Sequence, residues 1–410
     1  MRRRQVLRGL VAAGGLSALA ACLDLERGSV PTGDPARRPD RQHAWNGLLE
    51  TDEHGNHRLP EHHVFLSLAY EGTSREADRS TVETALSDLE RACEASADGL
   101  LFTVGYSPAY FERFDETLPA VDLPSPGPLV PGENVDTDDA DAFLHLASDH
   151  ARVVLAARQA LFGEDGAETR NTVNGVSVTS LDGLFTVTHR RTGFLGPGLP
   201  AENDENLLGI PAGAVDEAAP TFMNFRSGFR RTQATEDRVT IHDGRFAGGT
   251  TQHVETLRLL LSEWYERSPD EQVARLFGPE RDVEAVGEGG QRLTDHSGVD
   301  PVPAAELRGV AEEHGVVGHA QKMSRLREGG RPPILRRDVN SADNGEAGVV
   351  FVSLQRAIED YRQVRRAMAG LDLAAETPVG ERSGNGIRQY IRTRRRGNAL
   401  VPPRELRSLP

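Results

Sequence analysis

Lysine is nearly absent from this sequence: of its 47 basic residues, Lys322 is the one that is not arginine. Cysteine is almost as scarce, with Cys22 and Cys93 alone. Two distant cysteines build no disulfide framework. Neither belongs to a Cys-x-x-Cys pair, which excludes a zinc ribbon or a thioredoxin-like centre. No Gly-x-x-x-x-Gly-Lys and no Gly-x-Ser-x-Gly occur, so a P-loop and a hydrolase nucleophile elbow are excluded. The Gly193 to Gly198 stretch has the wrong spacing for a nucleotide loop. No repeat with a period of about 20–50 residues appears, which excludes a solenoid. The apolar run Gly9 to Ala21 is too short to span a bilayer as a stable helix.

What remains is an acidic chain of 410 residues with 62 acidic side chains and a net charge of −15. Such a surface repels nucleic acid and anionic lipid, so no nucleic-acid partner is expected. Acidic, arginine-rich and lysine-poor composition suits a salt-loving source. Hydrophobic residues make up 38%, enough for a substantial core.

The first 22 residues read as an address. Arg3-Arg4-Gln5-Val6-Leu7-Arg8 matches a twin-arginine export pattern. Leu19-Ala20-Ala21-Cys22 resembles a lipobox, which makes Cys22 a lipidation site and predicts anchoring on the outer face of the cell membrane. Residues 23–60 are polar, rich in Pro, Gly, Asp and Arg, and without apolar periodicity; they predict a flexible tether.

Beyond the tether the pattern predicts an α+β body made of two ferredoxin-like β-α-β-β-α-β halves, over 61–200 and 201–400. In the first half, 63–70, 100–105 and 142–146 read as strands. Ser80 with Glu83 reads as a capping box opening a helix whose inward face is Val82, Leu86, Leu89 and Cys93. Cys93 is therefore a core residue. A second helix is predicted over 150–161, then a strand pair near 174–190 turning at Asp182-Gly183. In the second half, 347–354 reads as a strand and 355–369 as a helix stopped by Gly370, with a last strand over 387–391. The stretch from His253 fits a helix or a strand on spacing alone. His54, His57, His62 and His63 look like a metal patch, but they read better as surface scatter, since His62 and His63 point to opposite faces of a strand.

Several ordered stretches resemble the dye-decolourising haem peroxidases, in particular their exported, iron-uptake-linked branch. They are Leu101 to Tyr106 followed by Phe111-Glu112-Arg113-Phe114; Gly248-Gly249-Thr250-Thr251; Trp264 with Glu271-Gln272 and Phe277-Gly278; His319 with Leu335-Arg336-Arg337, the arginine 17 residues on; and Gly348-Val349-Val350-Phe351. The resemblance implies two ferredoxin-like halves of the dimeric α-β barrel type, with haem b in the C-terminal half. It makes the His253 stretch a strand. It implies hydrogen peroxide and an electron donor as partners, and it admits a homo-oligomer. His319 would be the axial iron ligand, Arg336 the distal arginine facing peroxide, and Arg337 a partner for a haem propionate.

The family's Gly-Phe-x-Asp-Gly motif, whose Asp moves a peroxide proton, is altered. Phe225-Arg226-Ser227-Gly228 puts Ser227 in that place, and the rival match over 206–213 puts Ala212 there. The carboxylate is missing either way, which leaves a haem-handling lipoprotein or a cofactor-free one as alternatives. Asp338, two residues from Arg336, is the nearest carboxylate in sequence and a candidate substitute, although a plain salt bridge to an arginine is the favoured reading.

Overall fold

The computed structural model describes residues 30–73, 75–115, 117–163, 171–195 and 220–408. The export signal, Cys22 and the Ala212 match lie outside the described residues. No described helix is long and apolar enough to cross a membrane.

The N-terminal half runs β1 (His62–Tyr70), α1 (Arg75–Ala92), β2 (Leu101–Tyr106), β3 (Ala142–Ser148), α2 (Ala151–Phe162) and β4 (Phe185–Phe194). The C-terminal half runs β5 (Thr250–Leu259), a long excursion over 260–334 that ends in the short helix α3 (His319–Ser324), β6 (Leu335–Arg336) with β7 (Val339–Ser341), β8 (Gly348–Gln355), α4 (Ile358–Ala369) and β9 (Ile391–Val401). The order β-α-β-β-α-β therefore occurs twice. The His253 stretch is a strand, paired on both sides, to β8 and to β9.

Within each half the strands pair antiparallel, in the order β4-β1-β3-β2 and β7-β8-β5-β9. The halves close on one another through two thin seams. Each seam has a single paired register position, Tyr106 with Leu400 and Phe194 with Asn340. The result is a barrel. Period-2 alternation along β1 sends Val64, Leu66 and Leu68 outward against α1 and α2. It sends Phe65 inward to meet Val254, Val339, Val350 and Val352 from the other half.

Local sequence explains most element boundaries. Gly370, with φ 57°, ends α4 as a left-handed cap. Asn174 and Gly175, both at positive φ, turn the short hairpin Thr172–Val173/Val176–Ser177. That hairpin precedes the expected turn; Asp182-Gly183 instead swings the chain into β4. The helix expected from Ser80 begins at Arg75, so Ser80 lies inside it and no capping box forms there. Glu83 instead pairs with Arg407 near the C-terminus. Cys93 is buried in the core, as expected, and burial pushes its thiol up to about 11.

The expected tether is corrected. From Val30 the chain lies against the body, and Gln42, His43, Trp45 and Leu49 are buried. Trp45 packs with Leu49, Leu101 and Ala147 across one end of the barrel. Gln42 staples the thin seam: its Nε2 donates to Val104 O (3.1 Å) and Pro402 O (2.9 Å), and its Oε1 accepts from Val104 N (2.9 Å). Arg38 adds a hydrogen bond to Cys93 O at 2.9 Å. These partners lie some 60 and 360 positions away, so polar composition gave no hint of them. The histidine patch is corrected too. His63 is buried and bonds His145, Nδ1 to Nε2, at 2.9 Å, and the described residues hold no group of three or more ligands suited to a metal.

Candidate active-site cavity

The excursion over 260–334 stands where α1 stands in the other half, but no helix as long as α1 forms. Shorter helices such as Pro269–Leu276, Ala304–His314 and α3 replace it. Between them, β8 and α4 lies a cavity walled chiefly by apolar side chains, among them Phe225, Phe277, Met323, Phe351 and Val364. Four of its polar residues are His319, Arg336, Asp338 and Ser227.

His319 opens α3. Gly318 before it must be glycine, because a Cβ there would come within 2.4 Å of the Phe277 carbonyl carbon. The Gln321 side chain reaches back to accept from Gly318 N at 2.9 Å, which fixes the start of the helix. Lys322, one turn on, is buried among neutral acceptors: Nζ donates to Met368 O (2.7 Å), Asn385 O (3.0 Å) and Asn385 Oδ1 (2.5 Å). A compact ammonium with three donors matches this set, which explains why a lysine survives here in an arginine-rich chain. It ties α3 to the end of α4 and to the loop before β9. Burial, with Lys322 and Arg336 adding to it, pushes the His319 imidazole down to about 3, so the ring is neutral at ordinary pH. No hydrogen bond engages the His319 ring among the described residues.

Arg336 ends β6 opposite Ser353 of β8. Gln233 clamps its backbone from the other side: Arg336 N donates to Gln233 Oε1 (2.8 Å), and Gln233 Nε2 donates to Arg336 O (3.3 Å). The guanidinium meets Asp338 Oδ1 at 3.8 Å, an ion-pair distance too long for a hydrogen bond. Ser227 follows a hairpin whose turn, Met223-Asn224, has both residues at positive φ. Asn224 is held there by Trp264, whose Nε1 donates to its Oδ1 at 2.5 Å. The Ser227 hydroxyl is buried and has no hydrogen-bond partner among the described residues.

Four of the expected site residues therefore share one cavity, and Arg337 does not. It sits next to Arg336 in an extended segment, and alternation sends it to the other face. There it is buried, its Nη2 donating to His43 O (2.8 Å) and Glu236 Oε1 (3.0 Å), its guanidinium 4.4 Å from the Trp45 ring centre. Arg337 therefore does not line the cavity that holds His319 and Arg336. Three other histidines of this half stay out of the cavity: His253 stacks on Tyr361 at 3.8 Å, His296 accepts from Gly298 N at 2.7 Å, and His314 does not line it either. Sequence reasoning missed Gln233 and Lys322. A lone lysine was a visible signal, whereas a clamp across 103 positions left none.

A model of a family of unknown function, DUF7405, matches residues 60–403. No curated protein matches the sequence. Among solved structures the chain is similar to a dye-decolorizing peroxidase from Bacteroides thetaiotaomicron, with 15% identity, 88% of this chain and 98% of that one covered, and a TM-score of 0.52. It is similar to the encapsulated DyP-type peroxidase of Mycobacterium smegmatis, at 14% identity, 92% and 98% coverage and a TM-score of 0.52. It is also similar to a DypB variant of Rhodococcus jostii solved in complex with heme, at 17% identity, 85% and 95% coverage and a TM-score of 0.50. At such identities the likeness is one of fold. On the match over most of its length, the chain belongs to the family of unknown function DUF7405, and its fold is that of the DyP-type peroxidases.

Proposed function

We propose that this protein is an exported haem b peroxidase of the dye-decolourising type, lipid-anchored through Cys22. The observation that carries the reading is the apolar cavity that brings His319 and Arg336 together with Asp338 and Ser227. The residues fit a haem. An unpartnered neutral imidazole is a suitable axial ligand, and apolar walls suit a porphyrin face. Ser227 leaves a buried hydroxyl unspent, as a site built for a ligand would. Two Rhodococcus jostii DypB variants of this fold are solved in complex with heme, which supports the cofactor by analogy.

Haem b, when bound, supplies the redox chemistry that reduces peroxide and takes electrons back from a donor. The chain's own groups would do the rest. The His319 ring nitrogen would hold the iron. The Arg336 donors would orient a peroxide anion and stabilise negative charge. An acid–base group must move a proton between the peroxide oxygens, and Ser227 cannot act as a base near neutral pH. Asp338 lies in the same cavity, so we assign it that role, with the Ser227 hydroxyl as a hydrogen-bonding aid. The surrounding apolar walls would exclude competing water.

The test is stopped-flow mixing of the haem-loaded protein with hydrogen peroxide. Asp338→Asn should slow the reaction about 10²–10⁴-fold, the usual contribution of a positioned acid–base group. An unchanged rate would remove Asp338 from the reaction. No reaction in the wild type, with haem bound, would favour haem handling without turnover, which the altered motif at Ser227 allows. For export, Arg3→Lys with Arg4→Lys should block translocation, and Cys22→Ser should release the protein from membranes. A Cys22→Ser protein that still fractionates with membranes would refute the lipid anchor.

A further inference from the structure

Three arginines line the apolar cavity, and they are unequally occupied. Arg226 pairs with Asp52, and Arg336 faces Asp338 at 3.8 Å. Arg327 has no such partner. Among the described residues its one hydrogen bond runs from Nη1 to Val299 O, at 3.1 Å, and it forms no ion pair. Asp300 lends it a favourable field without an ion-pair contact. Its Nε and Nη2 are left unspent, and neither is sealed off by the protein.

The chain brings a second unspent donor to the same wall. His319, Ala320, Met323, Leu326 and Arg327 line the cavity from one face of α3 and the turn that follows it, at helical spacing. Val302 N donates to Ser324 Oγ at 3.1 Å, so the 297–302 loop is pinned to the end of α3. Val299, which holds Arg327, belongs to that loop, and so does Ser297. The turn at Ser297 is fixed by Gly298, at φ 69°, whose N donates to His296 Nδ1 at 2.7 Å. Ser297 is 7% exposed and lines the cavity, and its hydroxyl has no hydrogen-bond partner among the described residues. A buried hydroxyl and a guanidinium, both unspent and both on the wall of an apolar cavity, suit an anionic group on an apolar ligand.

We propose that Arg327 and the Ser297 hydroxyl form a carboxylate seat in this cavity, which selects planar apolar ligands that carry a carboxylate and sets how the ring lies. A planar fork of donors matches a carboxylate with two parallel hydrogen bonds. Haem b is such a ligand, an apolar ring with two carboxylate arms, so the inference rests on the haem reading and adds the direction of the ring to it. His319 and Arg327 stand about two helical turns apart on one face, so a ring held at its centre by the first can reach the second with an arm.

The experiment titrates the full chain with metal-free protoporphyrin IX and with its dimethyl ester, both in the same dilute detergent, and reads porphyrin fluorescence. Neither probe carries iron, so ligation by His319 plays no part. The wild type should bind the diacid about tenfold or more tightly than the diester, the usual worth of a hydrogen bond to a charged group. Arg327→Gln should weaken the diacid about tenfold and leave the diester unchanged, and the retained diester binding shows that the cavity is still folded. Arg327→Lys should recover part of the preference. Ser297→Ala should weaken the diacid about threefold, as expected for one neutral donor. Arg37→Gln, which removes an exposed arginine outside the cavity, should change neither affinity. Equal binding of diacid and diester by the wild type, an equal loss of both in Arg327→Gln, or binding of neither would each overturn the seat. A haem reading that failed alone would leave the diacid preference and its loss in Arg327→Gln intact, and would show instead as a haemin spectrum unaltered by His319→Ala.

Discussion

The N-terminal and C-terminal halves repeat one strand-and-helix order, yet only the first has a sealed outer face. There α1 and α2 lie across β1 to β4, and Val82, Leu86, Leu89, Val154 and Leu161 meet the sheet in one continuous cluster. In the second half α4 matches α2, but the place of α1 is taken by 75 residues of loops and short helices over 260–334. Their apolar side chains line a cavity where the other half has contact. A sheet face needs a cover, and a long amphipathic helix is the simplest one. Breaking that helix into pieces leaves space, and the polar residues at its rim become available for chemistry. Trp45 adds to the cover of the first half, packing against β2 and β3 through Leu101 and Ala147.

The largest expected effect comes from removing that closure. Trp45→Ala should destabilise the protein by about 3–5 kcal/mol, the usual cost of deleting a buried tryptophan, and thermal unfolding would register it. A free tether would show no change. Next, Leu86→Ala in the sealed half should cost about 2–5 kcal/mol. Met368→Ala, at the cavity wall, should cost clearly less, because its side chain is already part-exposed to a void. Equal costs in chemical denaturation would erase the contrast between the halves.

Acid should separate the halves as well. Burial pushes His43 and His63 down to about 3, and His145 well below its usual value. These three cluster at the closed barrel end, and His319 alone lines the cavity. Unfolded, each takes up a proton near pH 6.5; folded, each resists until far lower pH. The unfolded chain thus binds more protons between those limits, and stability falls as pH drops below about 6.5. His63→Phe with His145→Phe should flatten the melting temperature profile between about pH 4 and 8 more than His319→Phe does. A smaller effect is expected of Gln233→Ala, about 1 kcal/mol for the lost clamp on Arg336, read from the melting temperature beside a slower peroxide reaction.

Much of the architecture was legible because it rests on local periodicity. The alternation in Val64 to Leu68, the helical spacing of Val82, Leu86 and Leu89, and the run Gly348 to Val352 each declare an element within a few residues. The N-terminal segment was illegible for the opposite reason. Its order comes from Gln42 reaching Val104 and Pro402, and from Trp45 beneath Arg337, contacts made only once the barrel has closed. In the site, His319 and Arg336 were reached through resemblance, and the cavity joins them to Asp338 and Ser227. Arg337 stands outside that cavity for a reason the strand period already contains: adjacent residues in extended backbone face apart. Lys322 stood out in composition, but its three neutral acceptors come from two other elements.

The central claim is that the unsealed half holds a haem on His319. The most direct test is the visible absorption spectrum of the wild type and of His319→Ala, both produced with haem available. The account predicts a Soret band in the wild type that is lost or displaced in the variant. The same haem spectrum in both, or no Soret band in the wild type, would contradict it.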